Sequence, residues 1–124
     1  MSSTEENPLI ADLVERAEDE DDADAQYELG WRHALGADCD LDDEVAVIWL
    51  KKAAENGHKL AQNNLGARYV SGEGVPVDLT EAYIWFFRAA AQGDRKAGKN
   101  CDSVAKQLSP EDLQVARVRA GKLL

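Results

Sequence analysis

Ala25-Gln26-Tyr27-Glu28-Leu29-Gly30 recurs as Ala61-Gln62-Asn63-Asn64-Leu65-Gly66, 36 residues later. The same shift pairs Arg32 with Arg68, Gly36 with Gly72, Asp42 with Asp78 and Ala46 with Ala82. It continues through Ile48 and Ile84, Trp49 and Trp85, Ala53-Ala54 and Ala89-Ala90, then Gly57 and Gly93, and lands on Ala97. A register held from end to end of a unit marks a repeat architecture, in which each unit buries its apolar face on its neighbours.

Each unit reads as two helices. Ala25, Leu29 and His33, then Ala61, Leu65 and Tyr69, step by four and draw one largely apolar stripe on a first helix. Gly36 and Gly72 stop it, because glycine enters the left-handed region without steric cost. Asp78, with Glu81 three residues on, predicts a capping box at the start of a second helix. That helix is expected to bury Ala82, Trp85, Ala89 and Ala90 and to end at Gly93. Its counterpart buries Ala46, Trp49, Ala53 and Ala54 and ends at Gly57. The tryptophans supply much of the buried area, and the alanines let helices approach closely.

The flanks fit the same frame. Pro8 opens a helix whose Ile10, Leu13 and Ala17 stand one repeat ahead of Ala46, Trp49 and Ala53, with Asp21 in the terminal glycine's place. Past Ala97, Cys101 takes the place of Leu29 and Leu65. Ser109-Pro110-Glu111-Asp112 starts a last helix with apolar positions at Leu113, Val115, Ala116, Ala120, Leu123 and Leu124. The expectation is a single all-α domain over 1–124, a short α/α solenoid of seven helices. It divides into a capping helix over 8–22, repeats over 25–60 and 61–96, and a degenerate closing unit over 97–124.

The run Ala-x-x-x-Leu-Gly, Tyr, Gly-x-Gly-Val, Asp, Ala-x-x-Trp, Ala-Ala, Gly resembles the Sel-1-like repeat family, relatives of the tetratricopeptide repeats. The resemblance covers Ala25 to Ala97. The first unit departs from it at Asp38 and Cys39, which stand where Gly74 and Val75 do, and at His33 in the tyrosine place. The resemblance implies a non-catalytic adaptor that holds other proteins, with the first helices lining the binding groove. Off the apolar stripe those helices carry Tyr27, Glu28, Trp31 and Arg32, then Asn63, Asn64 and Arg68. Aromatics and arginine are enriched at binding hot spots, and asparagine can bond a peptide backbone. Trp31 stands where the next unit has Ala67, so the repeat does not require it; it either meets a partner or packs on the N-terminal helix.

The net charge of −10 is unevenly spread: −14 over residues 1–44 and +4 over 45–124. The run Glu18-Asp19-Glu20-Asp21-Asp22 repels phosphates, which disfavours nucleic acid, and suits either solubility or a basic protein surface. An acidic immunity or inhibitor protein that masks such a surface is the alternative to the adaptor. No apolar run is long enough to span a bilayer, the start lacks the basic and apolar regions of a signal peptide, and a cytoplasmic location is expected.

Chemistry finds little purchase. Cys39 and Cys101 occupy places held by Val75, Leu29 and Leu65, so both read as buried small hydrophobes. They stand 62 residues apart, nearly two repeats, too far for a disulfide. His58, just past Gly57, reads as a surface residue near a helix end, and His33 as half-buried. No zinc-ligand spacing occurs, and Gly72-Glu73-Gly74 puts an acid where a phosphate loop would bind its anion. A calcium loop counted from Asp38 fails at Asp43, where glycine is needed, and at Trp49, where a glutamate is needed. No cofactor and no metal are expected, and the oligomeric state is open.

Overall fold

The computed structural model describes residues 7–122, which form seven helices and no strand. These are α1 (Pro8–Asp19), α2 (Ala23–Leu35), α3 (Asp43–Glu55), α4 (Lys59–Ser71), α5 (Leu79–Ala91), α6 (Arg95–Gln107) and α7 (Pro110–Lys122). Leu123 and Leu124 lie outside the described residues. From α1 to α6 each helix packs on the next, and α7 packs back against α5.

Caps set the helix boundaries. Asp22, Asp42, Asp78 and Asp94 each accept a backbone N–H of their helix's first turn, as N-cap carboxylates do. Gly36 and Gly72 close α2 and α4 in the left-handed region at φ 67° and 77°. Asp21 takes the place of Gly57 at φ 51°. The capping box at Asp78 is only half made. Asp78 caps Glu81 N–H, but its own N–H donates to the Tyr69 carbonyl, and the Glu81 carboxylate pairs with Arg119.

The inter-helix loops of the two units share one shape despite their sequences. Asp38 holds φ 64° where Gly74 holds 77°. A side chain at Gly74 would run into the Asp43 carbonyl on α3, so glycine is required there. At Asp38, Arg32 bonds the carboxylate at 2.8 Å, an ion pair that offsets part of the about 1–2 kcal/mol a left-handed non-glycine residue costs.

Helix α3 divides the core. Trp49 packs with Ile10, Leu13, Ala17, Ala25, Leu29 and Cys39 on one side. Val47, Leu50, Ala53 and Ala54 join the larger cluster built on Leu65, Tyr69, Trp85 and Phe86. Glycine permits the closest approach: a Cβ on Gly66 would lie 2.7 Å from the Phe86 ring, and one on Gly30 2.8 Å from Leu50.

The repeat breaks where α7 packs. Ile84 is 1% exposed in a cluster with Ala116 and Ala120, whereas its counterpart Ile48 is 54% exposed. On α7 itself, Val115 is exposed against expectation, and Leu113 is only partly buried, because Ala116 and Ala120 make the buried face. Ala90 is likewise half-buried rather than buried.

Candidate protein-binding face

The first helices α2, α4 and α6 stand in repeat register, and one bond shows how their exposed sides meet. Asn64 Nδ2 donates to Tyr27 Oη at 3.4 Å, and one unit later Asn100 Nδ2 donates to Asn63 Oδ1 at 3.4 Å. Positions 27 and 63 therefore face positions 64 and 100 across two equivalent clefts. Trp31 and Ala67, four residues further on, lie one helical turn along the same walls.

The two clefts differ in filling. In the first, Tyr27 stacks on His58 with ring centroids 4.4 Å apart, and Trp31 carries the Arg32 guanidinium 4.7 Å from its ring centre. In the second, Ala67 is small. A cavity of about 210 Å³ opens there between α4 and α6, lined by Ala67, Val70, Phe86, Asn100, Ser103, Val104 and Gln107.

Glu28, Arg32 and Arg68 are tied up within the fold. Arg32 bonds Glu28 at 2.9 Å and Asp38 at 2.8 Å, bracing the loop after α2. Arg68 reaches Asp43 at the start of α3 at 2.8 Å, with Glu73 at 3.6 Å, so it joins two units. The two arginine side chains are 14% and 15% exposed, and fixed bonding of this kind makes them braces first.

His58 is not the surface residue its position suggests. It is the N-cap of α4, in the repeat place of Asp22 and Asp94. Nδ1 accepts Ala61 N–H at 3.2 Å while Nε2 faces Asp24 at 3.1 Å, so the hydrogen bonds place the ring proton on Nε2. His33 is buried rather than half-buried, with Nδ1 at 3.0 Å from the Asp40 carbonyl.

A polar ladder escaped the sequence reading. Gln26 and Gln62 are each 1% exposed. Gln62 Nε2 donates to the Ala54 carbonyl and its Oε1 accepts from Gln92, whose amide also reaches the Gly57 carbonyl. One unit earlier Gln26 donates to Ala17 O and Asp21, and accepts from Asn56, which also bonds Asp21. The signal was present, since both glutamines belong to the duplicated Ala-Gln pair. A second hollow, about 440 Å³, lies over this network beside Glu18, Lys52 and Glu55.

The same bonds sort the acidic run. Hydrogen bonds from Asn56 and Gln26 hold the Asp21 carboxyl below its ordinary pKa, and Arg16 does so for Asp22, which also caps α2. Glu18, Asp19 and Glu20 are exposed. Among the described residues no group of three or more His, Cys, Asp or Glu side chains could hold a metal ion, and no helix is long and apolar enough to cross a membrane.

Comparison with known proteins fits this arrangement. Several solved structures resemble the chain, and two of them illustrate the likeness. One is c5321, a protective antigen of uropathogenic Escherichia coli strains displaying an SLR fold, with TM-score 0.81 and 30% identity over 87% of this chain and 23% of that one. The other is a Sel1 repeat protein from Oxalobacter formigenes, with TM-score 0.72 and 26% identity over 96% of this chain and 51% of that one. The chain thus spans about a quarter and about half the length of these two structures. The search of curated proteins finds no match. The Sel1 repeat family model matches residues 23–58 and 59–94, two units that begin two residues ahead of those read from the alanines. With its duplicated helix pair and more than half its length covered, the chain belongs to the Sel1 repeat family.

Proposed function

We propose that this chain is a non-catalytic adaptor that holds a protein partner on the face made by α2, α4 and α6. Sel1 repeats generally serve as protein–protein interaction modules, and the sequence offers no catalytic constellation. The observation that carries the reading is Trp31. It is a half-buried tryptophan on the first-helix face, at a place where the repeat is satisfied by Ala67. Tryptophan is among the residue types that most often anchor interfaces. Tyr27, Asn63 and Asn64 line the same face, with Glu28 and Arg32 bracing the loop after α2 and Arg68 tying α4 to the start of α3. Glu18, Asp19 and Glu20, the exposed acids beyond it, are available to a basic partner surface, but neither the fold nor the relatives favour the immunity-protein reading.

The test is affinity capture from a lysate of the source organism with three baits. The wild type and Ile48→Ala, altered on the second-helix side, should recover the same partner. Trp31→Ala should weaken binding by about 2 kcal/mol, roughly thirtyfold. Retention by Trp31→Ala with loss in Ile48→Ala would move the site to the other side of the molecule.

A further inference from the structure

We infer that the cleft between α4 and α6 receives an aromatic side chain from an acidic segment of a partner protein. This rests on the reading that the first-helix face binds protein, and it names the contact and its chemistry.

Three observations lead there. The repeat places Ala67 where Trp31 stands in the preceding unit, on walls whose register the Asn64–Tyr27 and Asn100–Asn63 bonds fix. The second cleft therefore lacks the aromatic that the first carries, and the cavity of about 210 Å³ lies there. That volume is below the about 300 Å³ at which sites for drug-sized ligands begin, and it suits one side chain. Its base is apolar, formed by Phe86 and Val104, which are 2% exposed. Asn100, Ser103 and Gln107 supply polar groups along the rim for the backbone that delivers the ring.

The charge around the cleft selects the segment. Lys99 and Lys106, both exposed, stand one turn before and one turn after Ser103 on the same side of α6. Asp102 lies farther round the helix from Asn100 and Gln107 than either lysine does. Carboxylates flanking the partner's aromatic residue meet these two lysines, whereas the first cleft opens beside Glu28 and Asp38 in the acidic half.

The probes are three blocked pentapeptides: a tryptophan between two pairs of acidic residues, its alanine-centred counterpart, and its lysine-flanked counterpart. Each is titrated into the isotope-labelled full chain and followed by amide chemical shifts. The acidic tryptophan peptide should shift the amides of Ala67, Val70, Asn100 and Ser103, and bind at least about tenfold tighter than either counterpart. Ala67→Trp, which fills the cleft from within, should abolish those shifts, and Lys99→Glu with Lys106→Glu should weaken them. Circular dichroism and thermal melting establish that each variant is folded. If Ala67→Trp does not fold, Ser103→Trp fills the same cleft from the other wall.

Four results would overturn the inference: equal binding of the three peptides, no shifts up to millimolar peptide, shifts unchanged by a folded cleft-filling variant, or concentration-dependent shifts at these amides without peptide, which would make a second copy the occupant. Shifts confined to Tyr27 and Trp31 would also overturn it while leaving the first-helix face as the binding side. Shifts confined to α3 and α5 would overturn both.

Discussion

Cys101 and Cys39 hold places that Leu65 and Val75 fill in the middle of the chain, and both are buried free thiols. Burial pushes the Cys101 thiol up to about 11 and raises that of Cys39, while Cys101 Sγ lies 3.8 Å from the Tyr83 carbonyl. Thiolate is the reactive species, so a thiol reagent at pH 8 should label the native chain at least about tenfold more slowly than the chain in denaturant. Equal rates would contradict the burial. Repeat equivalence made these two residues legible because a small hydrophobe can be read by substitution for another. His58 was not legible in that way. Its counterparts Asp22 and Asp94 are caps, but histidine is not a usual cap, and only the Ala61 bond and the Tyr27 stack reveal the role.

Helices and their ends were readable almost throughout, since glycines, caps and apolar stripes are local signals. The bonds between elements were not. Gln26 and Gln62 sat in plain view of the repeat, yet a glutamine on a helix gives no hint whether it faces water or a neighbouring carbonyl. Their burial depends on Asn56 and Gln92 at the ends of other helices, 30 residues away in each case. Gln62→Leu removes two hydrogen bonds, leaving the Ala54 carbonyl with Gly57 N–H and the Gln92 amide with the Gly57 carbonyl as partners. It should lower stability by about 1–3 kcal/mol in chemical denaturation, the loss of two hydrogen bonds at about 0.5–1.5 kcal/mol each. An indifferent Gln62→Leu would mean the ladder contributes nothing to helix pairing. Arg32 and Arg68 teach the same lesson: their side of the helix was foreseen, but not the Asp38 and Asp43 carboxylates that occupy them.

At the scale of the whole molecule, a 36-residue shift carried most of the architecture, because each unit contacts mainly its neighbours. What it could not carry is the closing end. There α7 lies against α5 and covers Ile84, a contact with no equivalent between α5 and α3 among the principal helix pairs. The candidate face was legible as far as Tyr27, Trp31, Asn63 and Asn64. The open second cleft was not, because a cavity arises from what a small residue fails to fill and from Asn100, Ser103 and Gln107 in a unit whose repeat signal has faded. The central claim is that the first helices form the protein-binding side. Amide hydrogen exchange on the chain with and without its captured partner tests it directly, since it reads every helix in one experiment. The prediction is slowed exchange in α2, α4 and α6 on binding, with α3 and α5 unchanged. Slowed exchange confined to α3, α5 and α7 would contradict it.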